Sequence, residues 1–118
     1  MALYLIAFND EWAPDLTLEL RERGTSGGAL IEEMTAAGVF VFSGGGLDAS
    51  TVVCSVEPGG GSPIFSDGPY VETKEHLGGF TVVDVADDAA ARYWAGRVAM
   101  AVGWPQEVHR FPHRLGED

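Results

Sequence analysis

Residues 67–80 read Asp67-Gly68-Pro69-Tyr70-Val71-Glu72-Thr73-Lys74-Glu75-His76-Leu77-Gly78-Gly79-Phe80, and the rest of the chain is organised around this segment. It opens on a turn, because Asp can bond its own backbone, Gly accepts a positive φ and Pro fixes φ without donating an N–H. Charged side chains and a histidine follow, and the paired glycines allow the backbone to re-enter a strand. Rigid surface loops of this kind commonly carry binding and catalytic residues.

The residues after this segment predict a strand, a helix and a last strand. Residues 79–85 are apolar and β-branched, as in a buried strand. Asp87 or Asp88 is expected to cap the following helix, whose apolar stripe comprises Ala91, Trp94, Ala95, Val98 and Val102. Residues 106–111 predict a short strand, and residues 112–118 a polar C-terminal tail.

The first third of the chain predicts a strand and an interrupted helix. Residues 2–8 are apolar and aromatic, which favours a buried strand. A short helix capped by Asp15 is expected to break at residues 24–28, which contain three glycines, because each glycine costs about 1 kcal/mol relative to Ala in a helix. The helical pattern then resumes and stops at Gly38, in the position of a left-handed cap, and its apolar face comprises Leu30, Ile31, Met34 and Ala37.

A glycine-rich stretch follows the next predicted strand, at residues 39–42. Residues 44–49 match the G-x-G-x-x-A spacing of a dinucleotide site, but that site needs a helix next, so that the helix N-terminus meets the pyrophosphate. Residues 50–56 are instead β-branched and alternating, so the glycines are expected to form the bend of a hairpin. We therefore expect no nucleotide cofactor. A flexible turn at 57–63 and a short strand at 64–66 complete the pattern.

This order of elements predicts an α+β fold. Two helices at matched places between strands, in a chain of 118 residues, are typical of a ferredoxin-like split βαβ arrangement. We expect an antiparallel sheet with two helices on one face, forming a single domain over residues 1–118. Because the other face of the sheet needs a cover, we also expect a homodimer.

Composition excludes several classes of partner. A net charge of -11 repels phosphate backbones and anionic lipid surfaces, so neither nucleic-acid nor membrane binding is expected. The apolar first strand is too short for a membrane span and lacks a basic leader, which favours a cytoplasmic protein. A single cysteine allows no internal disulfide. His109 and His113 are separated by Pro112 and lack a full ligand set, so no metal is expected.

The central segment resembles the signature of the DGPF, or YCII-related, family. That signature is an Asp-Gly-Pro-aromatic turn, then Glu, Lys-Glu, and Gly-Gly before an aromatic residue. This chain has the same pieces in the same order, namely Asp67-Gly68-Pro69-Tyr70, Glu72, Lys74-Glu75 and Gly78-Gly79-Phe80. The opening strand, the block at 33–47 and the late strand at 107–108 also match, so the resemblance covers nearly the whole chain.

The resemblance implies a dimeric α/β barrel, in which two ferredoxin-like subunits stack their sheets, and a pocket that contains an aspartate. It implies no settled activity, although members are often encoded near extracytoplasmic-function sigma factors, so a partner in a sigma-factor pathway is one expectation. The family's histidine–aspartate pair does not carry over. Its histidine comes from the first helix region, and residues 13–37 contain no histidine here.

The turn segment supplies the candidate site residues. Asp67 is the candidate general acid/base, because desolvation disfavours the charged form of a carboxylate held beside aromatic side chains; alternatively, Asp67 only caps the turn. Tyr70, Glu72 and Lys74 are candidate ligand-binding residues. His76 could replace the histidine that the family pattern places elsewhere, or be a bystander on a charged loop.

Three functions remain open from these patterns. The first is binding of a small molecule in a pocket near the Asp67-Gly68-Pro69-Tyr70 turn. The second is a small enzyme that uses Asp67 for proton transfer. The third is a dimeric regulatory module that acts through a protein partner. Since one fold serves all three, the site must separate them.

Overall fold

The computed structural model describes residues 2–10, 19–70 and 76–112, and for residues 19–26 the backbone alone. In chain order its elements are β1 (Ala2–Asn9), α1 (Glu19–Ala36), β2 (Phe40–Gly45), β3 (Cys54–Pro58), β4 (Pro63–Asp67), β5 (Leu77–Val85), α2 (Asp88–Val102) and β6 (Glu107–Arg110). A 3-10 turn at Ala49–Thr51 lies between β2 and β3. This order confirms the predicted succession of strands and helices.

The main sheet has four strands in the order β2-β5-β1-β6, and each neighbouring pair is antiparallel. This arrangement is an α+β sheet consistent with the predicted ferredoxin-like fold. Strands β3 and β4 form a separate antiparallel ribbon, inserted between β2 and β5. The ribbon ends at Asp67, so the turn that opens the central segment leads from the ribbon toward the sheet.

Both helices pack on the same face of the main sheet. Alternate residues of the central strands point to that face and are buried, as expected from the twofold period of a strand. They meet the buried side chains of both helices in one core, which contains Tyr4, Ile6, Leu30, Met34, Val83, Val85, Ala91, Ala95 and Val98. Burial of each Ile, Leu, Met or Val side chain in this core contributes about 1.5–3 kcal/mol.

The second helix is capped as the sequence predicts. The Asp87 carboxylate accepts a hydrogen bond from the Ala90 backbone N–H at 2.9 Å, and Gly103 ends the helix with φ 79°. Cap bonds of this type satisfy backbone groups that have no partner inside the helix. Among the described residues, neither helix is long and apolar enough to cross a membrane.

The predicted break in the first helix is wrong. Helix α1 runs without interruption through the glycines at residues 24–28 and ends before Gly38, whose φ of 75° confirms the left-handed cap. Leu30 and Met34 are buried in the core, and their packing offsets a cost of about 1 kcal/mol for each glycine. Ala37, predicted on the apolar face, lies beyond the helix end and is exposed.

The predicted hairpin between residues 39–42 and 50–56 is also wrong. Strand β2 pairs with β5, and β3 pairs with β4. After the glycines, Asp48 caps the 3-10 turn and the extended structure begins only at Cys54. Alternation over residues 50–56 correctly indicates extended chain in its second half, but pairing is set by long-range packing that the local pattern does not contain.

An aromatic ring from β1 fills the space beside the paired glycines of the central segment. A Cβ atom added at Gly78 would lie 2.7 Å from Cε2 of Phe8, and one added at Gly79 would lie 2.7 Å from Cζ of the same ring. The added atom at Gly79 would also approach the carbonyl oxygen of Gly44 to 2.9 Å. The glycines are therefore needed for close approach between strands as well as for chain direction.

We expect Gly79→Ala to destabilise the protein by about 1–3 kcal/mol, because the new methyl group must displace the Phe8 ring and a neighbouring backbone carbonyl. Gly45→Ala is the matched control. Gly45 pairs directly with Gly79 across β2 and β5, and a Cβ there meets no atom within 4 Å. Urea unfolding of both variants tests this, and equal midpoints for the two would contradict the packing account.

Candidate functional site

Two adjoining cavities lie at one end of the main sheet. The larger has a volume of about 610 Å³ and is lined from both helices and three strands of the main sheet. The smaller has a volume of about 410 Å³ and is lined by Pro69 and Tyr70 of the central turn, together with His76. Leu47 and Asp48 line both cavities. The loop after β2 therefore forms a shared wall.

Aromatic side chains and glycines shape the larger cavity. The Phe8 ring, placed by the glycine pair, lies 5.0 Å from the ring of Trp104, centroid to centroid. Gly27 of α1 and Gly45 of β2 line the cavity without side chains, and a Cβ at either position would meet no atom of the described part of the chain within 4 Å. The glycines that break the helical sequence pattern thus leave space against the sheet.

Polar groups in the larger cavity come from the sheet and its ends. The hydroxyls of Ser43 and Thr81 lie 3.0 Å apart across β2 and β5, and Ser43 also donates to the Phe80 carbonyl at 3.2 Å. Asp10 and Gln106 line the same cavity, one just after β1 and the other just before β6. Because β1 and β6 are antiparallel neighbours, these two residues lie at the same end of the sheet.

The shared wall is held by local hydrogen bonds. The Leu47 backbone N–H donates to the Gly78 carbonyl at 3.0 Å. Asp48 then accepts from the Ser50 N–H at 2.8 Å and from the Ser50 hydroxyl, while its own N–H donates to Oγ1 of Thr51 at 3.1 Å. The Ser50 bond holds the pKa of the Asp48 carboxyl below its ordinary value, and the charge of His76 adds to this lowering.

The structure brings two of the predicted site residues together. Tyr70 and His76 line the smaller cavity. The Tyr70 hydroxyl bonds to Glu57 of β3, which raises the pKa of Tyr70 above its ordinary value. The backbone carbonyl of His76 accepts from the Asp10 N–H at 2.9 Å, which ties the smaller cavity to the end of β1.

Asp67 lies apart from both cavities. It is the exposed last residue of β4, next to Gly68, whose φ of 75° fits the predicted turn. The Gly68 carbonyl accepts from the Ser55 hydroxyl at 2.8 Å, so the turn is fixed to β3. Its role as a general acid/base stays a prediction. Glu72 and Lys74 fall outside the described residues, and their ligand-binding role also stays a prediction.

Sequence reasoning missed Asp48 and the wall residues of the larger cavity. The run Gly44-Gly45-Gly46 was the available signal, since Gly46 has φ 75° and redirects the chain into the capped turn. Phe8 and Trp104 gave no signal beyond that of ordinary core residues. Within the described residues, no group of three or more His, Cys, Asp or Glu side chains could hold a metal ion.

The sequence of this chain matches the model of one known protein family. A model of the YCII-related domain matches residues 13–102. The chain belongs to the YCII-related domain family. The match spans the region from before α1 to the end of α2, and so includes the Asp67-Gly68-Pro69-Tyr70 turn, the glycine pair and the shared cavity wall of this YCII-related protein. No curated protein matches the chain.

We expect the pKa of Asp48, followed by carboxyl carbon NMR during an acid titration, to lie below 3.8, its ordinary value. Ser50→Ala should raise this pKa more than His76→Ala, because the Ser50 bond is the larger cause. Since the pKa is lower in the folded chain, the contribution of Asp48 to stability is present above that ordinary value and lost as the pH falls through the folded pKa. A larger shift in His76→Ala would show that the capping bond is not the main cause.

Proposed function

We propose that this YCII-related protein binds a small molecule in the larger cavity, with the smaller cavity extending the site to the Asp67-Gly68-Pro69-Tyr70 turn. A single observation carries the proposal, namely a cavity of about 610 Å³ lined mainly by apolar and glycine residues, with a few polar groups among them. Ligand sites have volumes of roughly 300–1,000 Å³ and this kind of lining. The sequence-based expectation of a pocket near the turn is retained in the smaller cavity.

The glycines of α1 support this proposal energetically. Gly27 lines the cavity and lies four residues before Ile31, which also lines it, so both face the sheet from one side of the helix. Helix propensity alone favours Ala over Gly at this position, by about 1 kcal/mol. A glycine here therefore costs stability while it keeps the cavity open, which is expected where space is needed for a ligand.

Gly27→Leu should abolish ligand binding while the protein stays folded, because the new side chain occupies the cavity. The measurement is a thermal-shift screen with a metabolite panel, in which a ligand at 100 times its Kd adds about 2.7 kcal/mol and raises the Tm by several degrees. The matched control is Gly96→Leu, at an exposed helical position of α2 where a Cβ meets no atom within 4 Å. Shifts that survive in Gly27→Leu would place the ligand elsewhere.

Proton-transfer catalysis is the second candidate function. The observation that favours it is the meeting of Asp48, His76 and Tyr70 around the smaller cavity, because paired titratable groups in a cleft are typical of acid/base sites. Asp67, the acid/base residue predicted from the turn, lies in neither cavity. Turnover of a compound that binds in the screen, lost in His76→Asn while binding remains, would favour catalysis over binding alone.

We also propose that two copies pair through the sheet face opposite the helices. Leu5, Val82 and Phe42 are register neighbours on that face. Phe42 is 55% exposed, and Val41 beside it is 50% exposed. A two-layer domain leaves such a face to be covered by another element, and a second copy supplies an identical apolar face, as closed twofold symmetry requires.

Phe42→Glu should weaken this association by at least about tenfold, because a charge would be buried against apolar side chains at the interface. Met100→Glu is the control, since Met100 is 86% exposed on α2, away from the sheet. Sedimentation equilibrium over a concentration series measures both variants. A wild-type protein that stays monomeric at every concentration would remove the dimer proposal.

A further inference from the structure

Within the described part of the chain, the larger cavity is lined by acidic side chains and by no basic one. Among the described residues, Asp10 and Asp48 are the acidic side chains that line the larger cavity, and no Lys or Arg side chain lines either cavity. The whole chain carries a net charge of -11. Carboxylates in a partly enclosed space focus a negative potential there, because fewer water molecules screen it. Anionic ligands such as carboxylic acids or phosphates are therefore disfavoured.

The wall of the larger cavity also contains oxygen atoms without donors. Oδ1 of Asp10 and Oε1 of Gln106 are buried and accept no hydrogen bond from the described residues, although the Gln106 amide nitrogen donates to the Trp104 carbonyl at 3.1 Å. When a buried oxygen accepts no hydrogen bond, no donor neutralises its partial negative charge, and the low dielectric of the interior screens that charge only weakly. Its field extends into the neighbouring cavity and adds to the potential of the two carboxylates, without need for direct contact.

Two aromatic rings also line the larger cavity. Phe8 and Trp104, whose centroids lie 5.0 Å apart, both line this cavity. The faces of aromatic rings attract organic cations, and the combination of rings with carboxylates is how proteins recognise ammonium groups. Apolar side chains from both helices, Ile31 and Val98 among them, provide a surface for a hydrocarbon body.

We propose that the ligand of the larger cavity is an organic ammonium cation with an apolar body. The acidic side chains and unopposed oxygens attract the positive charge, and the rings and helix side chains hold the hydrocarbon part. This inference rests on the proposed function, whose cavity it uses, and adds the chemical class of the ligand.

Three probes of one size test it: benzylammonium, benzyl alcohol and benzoate. Each is titrated into the protein at pH 7 and low salt, and the shifts of the Gly45 and Thr81 amide signals in proton–nitrogen NMR spectra give the Kd. Fragments of this size are expected to bind with a Kd on the order of 1 mM. We expect benzylammonium to bind at least about tenfold more tightly than benzyl alcohol, because one charged interaction in a partly buried site is worth about that factor. Benzoate should bind most weakly.

Asp10→Asn should reduce the preference for benzylammonium over benzyl alcohol to less than about threefold, because it removes a carboxylate of the cavity wall. The control with the same change of net charge is Glu32→Gln, an exposed residue of α1 that lines neither cavity, and it should keep the wild-type preference. If Asp10→Asn does not fold, Asp48→Asn makes the same test, since Asn also caps turns well.

Three results would overturn the inference. Binding of all three probes with similar Kd values would refute the cationic class and leave the cavity as a ligand site. An unchanged preference in both Asp10→Asn and Asp48→Asn would refute recognition of the cation by the carboxylates of this cavity. Absence of shifts at Gly45 and Thr81 with every probe at millimolar concentration would refute both the class and the proposed binding function.

Discussion

Close approach of the Phe8 ring to Gly78 and Gly79 is the contact on which the rest of this structure depends. The ring occupies the positions that two side chains of β5 would need, so β1 and β5 can lie side by side only with glycines there. Gly78 is also the residue skipped in the pairing, since Phe8 pairs with Gly79 and Asn9 with Leu77. Such a bulge leaves a backbone carbonyl outside the strand ladder. The Leu47 N–H donates to that carbonyl, and the loop shared by the two cavities is thereby fixed to the first residues of β5, an inner strand of the sheet.

Glycines also create space in the first helix, α1, where Gly27 lines the larger cavity. In isolation, residues 24–28 would weaken a helix, and a local reading of the sequence breaks it there. The helix persists because Leu30 and Met34, in its following turns, are buried against the sheet. Propensity is a weak influence when tertiary packing opposes it. Because Gly27 and Gly28 have no side chains to pack against the sheet, they leave space there, and this space is part of the larger cavity.

Sequence patterns along the chain predict where the helices and strands lie, but they predict less well which strands pair with each other. The apolar stripe, the Asp87 cap and the glycine at position 103 place α2 correctly, because each is a local signal with a defined geometry. Strand β2 was assigned the wrong neighbour, since the residues that attract it, Val82 and Val83 of β5, lie far along the chain. The site divides in the same manner. Turn chemistry singled out Tyr70, which lines the smaller cavity, whereas Asp48 lines the two cavities only because of a capped turn and a long-range carbonyl bond.

The ribbon of β3 and β4 presents further exposed apolar side chains and leads into the turn that lines the smaller cavity. Val56 and Phe65 pair across the ribbon and are 52% and 65% exposed, and a two-stranded ribbon has little stability of its own in water. The Ser55 hydroxyl, near its base, bonds to the Gly68 carbonyl, and Glu57, nearer its tip, bonds to the Tyr70 hydroxyl. A partner copy that covered the ribbon would therefore stabilise the segment that carries Tyr70 in the smaller cavity. Binding in the cavity and association of two copies would then favour each other, because coupling between two equilibria acts equally in both directions.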